Sequence, residues 1–296
     1  MRTEIRNQHL ALCVDSHGAE VVSLLNIKTG RQIIWNADPK YWDEHSPILF
    51  PCVGGNWDGR ITIDKQSYEL PKHGLVKHMD FTLTSQTDDT LVFTVQADNQ
   101  TLQAFPYHFS LQAIYYLSGS SLQVYWIVEN EEPKQDMPFM IGGHPAFLLP
   151  EFDSNDPVHG YLQLPQVDSL VSSPTLPRGF VMPQAPEIFP LDNKHRLALT
   201  NDAFRCDTIL DLRGMAQRAL LLDKAECPLL EIVMNDVPVL AIWSPQDGCC
   251  PFVCVEPWWG CCDSYESSTP FNRRPFINNV APQGKWKQGY EINVLD

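Results

Sequence analysis

Positive charge is scarce in this sequence. Lys and Arg number 21 against 36 Asp and Glu in 296 residues, a formal net charge of −15. A nucleic-acid-binding surface needs a basic footprint to replace condensed counterions on phosphates. The deficit excludes such a partner, and it disfavours docking on anionic membranes. A neutral ligand meets no such penalty, whereas a strongly anionic one needs a local basic pocket. Long apolar runs are also missing. Arg2, Glu4 and Arg6 open the chain without the apolar core of a secretion signal. No run of about 18 apolar residues suggests a membrane span. A cytoplasmic protein is expected. Metal and nucleotide motifs are equally absent. Five of the nine cysteines cluster at 249, 250, 254, 261 and 262, but their gaps do not match paired zinc-ligand spacing. A disulfide framework is unexpected in a long chain without a secretion signal, so these thiols are read as small buried core residues. Neither GxGxxG nor GxxxxGK[ST] occurs. The expectation is a protein that needs no cofactor.

Helical periodicity is lacking too, and alternation takes its place. Phe81, Leu83 and Ser85 alternate with Thr82 and Thr84, the polar turn 86–89 follows, and alternation resumes from Leu91 to Ala97. A second hairpin runs from Phe109 to Leu117, turns at Ser118-Gly119-Ser120-Ser121, and returns through Leu122 to Val128. Further strands are expected at 19–25, 61–63, 219–222, 229–234 and 239–244. Segment 150–190, rich in Pro, Asp and Ser, reads as extended loops wrapped over the sheets. Short strands between turns, with no βαβ alternation, predict an all-β sandwich or barrel, taken as one domain over 1–296.

Three segments set a proton carrier in a constrained backbone. His73 lies between Pro71 and Gly74. His144 follows two glycines and precedes Pro145, which biases it toward extended backbone. Glu256 stands between Val255 and Pro257-Trp258-Trp259. Each histidine also has a plain reading as a turn residue bonded to backbone. The carboxylate is harder to dismiss, because burying it unpaired is costly. It must face a cleft, meet a cation or reach a strand end. Tryptophan faces suit the C–H faces of a pyranose, and a carboxylate takes hydroxyl protons, so a sugar fits this set. Side chains of Trp258 and Trp259 point oppositely along a strand, so one of the two is expected to face a cleft.

Taken in order, these segments resemble the galactose mutarotase-like (aldose 1-epimerase) family, most closely its LacX-type branch. The resemblance runs through Pro47-Ile48-Leu49-Phe50-Pro51 with Val53-Gly54, Leu70-Pro71-Lys72-His73-Gly74, and Phe105-Pro106-Tyr107-His108-Phe109. It continues through Met137-Pro138-Phe139, Gly142-Gly143-His144-Pro145-Ala146-Phe147, Asp207-Thr208-Ile209-Leu210 and Val255-Glu256-Pro257-Trp258. It implies a mostly antiparallel β-supersandwich and interconversion of the α and β anomers of a free hexose. By residue match, His144 is the implied general acid and Glu256 the general base, with His73 and Asp207 holding sugar hydroxyls. The expected picture is an acid and a base on opposite sides of the ring, meeting across one cleft, in a monomer or homodimer. The chain also departs from the family. Where many relatives carry Arg after the Phe-Pro-x-x-Gly stretch, it has Gly55, and Arg60 is the candidate replacement. The usual Phe-Ala-Arg after His73-Gly74 is Leu75-Val76-Lys77.

Three other readings compete. A non-catalytic carbohydrate-binding protein on the same fold would lack the acid or the base, and both are present. A hexose-6-phosphate 1-epimerase needs a basic cluster, for which Arg60, Lys72 and Lys77 are candidates. A glycoside hydrolase would use two carboxylates, such as Asp207 and Glu256, and would leave the histidine motifs unexplained.

Overall fold

The computed structural model describes residues 1–175, 179–205, 207–245, 250–267 and 269–295. Strands dominate, and every pair within the two large sheets is antiparallel. Among the described residues, helix is confined to Thr101–Ala104 and four short 3-10 turns. The alternating segments form a nine-stranded sheet. From Thr82–Gln86 it passes through Thr90–Gln96, Phe109–Ser118, Ser121–Asn130 and Lys285–Val294. It then reaches Pro228–Val233, Arg218–Leu222, Tyr161–Gln163 and Arg196–Ala198. Both expected hairpins are present. Ser118 pairs Ser121 around Gly119, whose φ of 57° suits the tight turn. Ser121–Asn130 alternates buried and half-buried residues along its whole length, the mark of one face turned to a core.

An eight-stranded sheet faces this one. Its centre is Phe252–Trp259, flanked by Val239–Trp243 on one side and by Ile141–Gly143 and Ala146–Leu148 on the other. Every residue of Phe252–Trp259 is buried, so both of its faces are covered. One face carries Trp259, whose ring meets Trp126 of the facing sheet at 6.0 Å, edge on. Trp126, Tyr115, Phe93 and Phe109 fill the space between the sheets. Each contributes about 1.5–3 kcal/mol by leaving water. The opposite face carries Cys254, Glu256 and Trp258.

Segment 150–190 differs from expectation. It holds three short strands, Tyr161–Gln163, Ser169–Ser172 and Glu187–Pro190. Two of them pair outside the segment: Tyr161–Gln163 lies between Arg196–Ala198 and Arg218–Leu222, and Ser169–Ser172 meets Ile209–Asp211 as well as Glu187–Pro190. Local composition carries no trace of such partners.

Candidate active site

Glu256 and Trp258 project from the same face of Phe252–Trp259, and the Trp258 indole Nε1–H donates to Glu256 Oε2 at 3.1 Å. His144 follows the neighbouring strand, Ile141–Gly143. Gly142 and Gly143 pair with Leu49 and Ile48. Close packing demands the first glycine, since a Cβ on Gly142 would sit 2.5 Å from Trp258 Cδ1. The His144 backbone N–H then donates to Pro47 O at 3.1 Å, which fixes its ring 3.4 Å, Nε2 to Oε1, from Glu256. The ring stacks on Trp42 at 4.9 Å and meets Trp243 edge on at 5.6 Å.

His73 closes the group, with its ring 5.5 Å from that of His144. It occupies the left-handed region (φ 66°), followed by Gly74 at φ 78°, consistent with the sharp turn read from the sequence. A Cβ on Gly74 would lie 2.1 Å from Phe50 O, so only glycine fits there. The His73 backbone N–H donates to Gly54 O at 2.9 Å, and the Gly54 N–H donates to His73 Nδ1 at 3.2 Å. Nδ1 is therefore the acceptor nitrogen, which leaves the ring proton on Nε2.

These side chains line one cavity of about 220 Å³, together with Trp42, Trp243, Lys72 and Lys77. At about 30 Å³ per water it holds roughly seven waters, room for a single hexose ring. Burial governs its electrostatics. It lowers the His144 pKa to about 3, with Lys72 and Lys77 adding to the effect. It also holds His73 well below the usual imidazole range. Burial pushes the Glu256 carboxyl well above its usual range, against the pull of Lys72 and of the Trp258 hydrogen bond. Both shifts favour the uncharged form of the two groups.

The remaining expected site residues divide. Trp258 lines the cavity and Trp259 belongs to the core, as the alternation implied. Asp207 stands beside the cavity, where its Oδ1 accepts from Trp243 Nε1 at 2.9 Å. Arg60 is a correction. It lies in the exposed hairpin Arg60–Ile63/Gln66–Glu69, bonds Ser67 and Glu69, and does not line the cavity. Lys77 is tied to Glu44 at 2.7 Å, and Lys72 is the cavity cation without an ion pair among the described residues. The opposed acid and base need correction too. At 3.4 Å the two groups sit side by side on one wall, so no ring fits between them. Trp42, Glu44, Trp243, Thr175 and Thr208 were missed by the sequence reading. The aromatic Tyr41-Trp42 pair was the one visible signal for that wall.

Cys250, Cys254, Cys261 and Cys262 are buried, while Cys249 lies outside the described residues. Cys254 lies next to the His144–Glu256 pair. Its Sγ, a His144 ring nitrogen and a Glu256 oxygen are all within 4.8 Å of one another, a set that could hold a thiophilic cation. Burial raises the Cys254 thiol well above its usual pKa, which opposes the thiolate a metal requires. Among the described residues, no helix is long and apolar enough to cross a membrane.

Comparison with known proteins agrees with this architecture. The family model described as aldose 1-epimerase matches residues 1–271. Protein LacX (chromosomal) of Lactococcus lactis subsp. lactis is 28% identical over 301 residues, all of both chains. A galactose mutarotase related enzyme from Lactobacillus acidophilus superposes with a TM-score of 0.91 at 26% identity, over 100% of this chain and 98% of the other. A galactose mutarotase-like protein from Lactobacillus casei gives 0.91 at 24% identity over the full length of both, a likeness of fold. The all-β architecture is thus that of the galactose mutarotase-like proteins, and the chain belongs to the aldose 1-epimerase family.

Proposed function

We propose that this chain is an aldose 1-epimerase that interconverts the α and β anomers of a hexopyranose through His144 and Glu256. The observation that carries this reading is the 3.4 Å pair of imidazole and carboxyl in a ring-sized cavity walled by tryptophans. Opening a hemiacetal removes a proton from O1 and delivers one to O5. Both oxygens are bonded to C1, so an adjacent acid and base on one wall serve both. Rotation about C1–C2 and reclosure from the other face then give the second anomer.

The pair shares one proton. Burial favours its place on Glu256. Lys72 and the Trp258 indole favour the carboxylate, and sugar hydroxyls entering the cavity do the same. Moving the proton to His144 yields the base at Glu256 and the acid at His144. His73 donates from Nε2 to a ring hydroxyl, and Asp207 accepts one beside Trp243. No step calls for a metal or a nucleotide.

The test is polarimetry on freshly dissolved α-D-galactose and α-D-glucose, paired with Glu256→Gln. An enzyme-proportional rate that the substitution abolishes supports the reading. Binding of sugar with no rate above buffer would instead leave a carbohydrate-binding protein on the same fold.

A further inference from the structure

We propose that the recess beside the catalytic cavity is a subsite for a second sugar ring, so that a reducing disaccharide is a better substrate than a monosaccharide. The proposal rests on the mutarotase reading and names the substrate class of that site.

Cavity and recess adjoin across a low saddle. Gly54 and Gly179 line the cavity, while their chain neighbours Gly55 and Phe180 line the recess. The Gly55 N–H donates to Gly179 O at 3.2 Å, closing the saddle with backbone alone. Lys72 lines both sides. A Cβ on Gly179 would lie 3.3 Å from Lys72 Cε and Nζ, so the lysine is laid along the saddle where a side chain would intrude. Gly55 stands where the resemblance leads one to expect Arg. As glycine it places no side chain in the recess that it lines.

The recess, about 980 Å³, presents aromatic faces. Tyr265 is 38% exposed, one of few large apolar side chains so placed. Its ring meets that of half-buried Trp57 at 4.8 Å and 64°, and Phe180 supports Trp57 at 5.4 Å. Exposed aromatic rings beside hydroxyl-bonding groups suit the C–H face of a pyranose. The platform is also rigid. Buried Arg274 bonds Asp263 and Asn56, each at 2.6 Å, and the Trp57 N–H donates to the same Asp263 carboxylate at 3.2 Å. Asp263 N–H holds Gly55 O at 3.0 Å, and Tyr265 N–H holds Val181 O at 2.8 Å. A preformed surface loses little entropy when it binds.

A phosphate at this place is the weaker fit. Arg60, next to Gly59 of the recess wall, is tied to Glu69 and Ser67, and Lys77 is neutralised by Glu44. That leaves one lysine, where a phosphate favours a bidentate arginine. For a neutral sugar, Lys72 supplies a hydroxyl donor.

The experiment compares kcat/KM for anomer exchange, by NMR, for maltose and lactose against glucose and glucose 6-phosphate. The disaccharides should exceed glucose by about tenfold, the size of one well-stacked ring. Trp57→Ala should bring that ratio to about one, with Trp57→Phe retaining most of it. Tyr265→Ala, at an exposed position, should lower it in a folded chain. A ratio at or below one in the unaltered chain, a ratio untouched by both alanine variants, or glucose 6-phosphate outpacing both disaccharides would overturn the proposal. Saturation-transfer NMR with lactose on Glu256→Gln reads the subsite without turnover. Transfer to the non-reducing ring, lost in the Trp57→Ala, Glu256→Gln double variant, supports it. Transfer to the glucose ring alone overturns it. If no sugar is turned over, the mutarotase reading fails, and this binding result still decides the subsite.

Discussion

Two buried carboxylates stand on either side of Gly260 and have opposite surroundings. Asp263 meets Arg274 at 2.6 Å, both nearly inaccessible, and also receives the Trp57 N–H. Glu256 is as deeply buried, yet its partners are an imidazole at 3.4 Å and an indole N–H. A permanent cation fixes the first charge and makes it a structural anchor. The second has no such cation, so its proton is free to move. Burial alone does not make a site; burial without a fixed counter-charge does.

The comparison breaks most visibly at Glu256. Glu256→Gln and His144→Ala should each slow mutarotation by about 10²–10⁴-fold, the usual reach of a positioned proton carrier. Far-UV circular dichroism should be unchanged. At the anchor the effect falls on stability instead. Arg274→Met leaves Asp263 buried and unpaired, and urea denaturation should show a loss of about 3–5 kcal/mol. Asp263→Asn added to it should recover part of that loss.

The contrast sharpens in the opposite direction at the site. Glu256→Gln removes a group that resists burial once ionised, so at pH 8 its Tm should rise by about 2–4 °C, roughly 1 kcal/mol for a chain of this size. His144 gives the acid side. Burial lowers its pKa to about 3 from the ordinary 6.5. Between those values the unfolded chain binds a proton that the folded chain refuses. Stability from this group is complete above about pH 6.5 and declines as the pH falls toward 3. Thermal melts between pH 7.5 and 5 should therefore fall less steeply in His144→Gln. The smallest effect is expected at Arg60. Arg60→Ala should leave the kcat/KM for monosaccharides within about twofold and Tm unmoved, because its partners are exposed.

Much of this was legible in the chain. Alternation placed both hairpins and the Trp258/Trp259 division, and the glycines around positions 73 and 144 marked tight backbone. His144, Glu256 and His73 converge as their constrained settings suggested. Arg60 was misread because sequence proximity to Gly55 says nothing of direction. The hairpin Arg60–Ile63/Gln66–Glu69 turns that side chain to solvent. The aromatic wall was legible only as the Tyr41-Trp42 pair; its meeting with Trp243 around His144 was not, since each comes from a distant segment and meets His144 only through packing. The side-by-side placement of His144 and Glu256 was also beyond reach, because it depends on strand register between Ile141–Gly143 and Phe252–Trp259.

One measurement goes most directly to the centre: the initial rate at which fresh α-D-glucose loses optical rotation, as a function of protein concentration, with and without Glu256→Gln. The account predicts a slope well above buffer for the unaltered chain and one indistinguishable from buffer for the variant. Equal slopes for the two would contradict it.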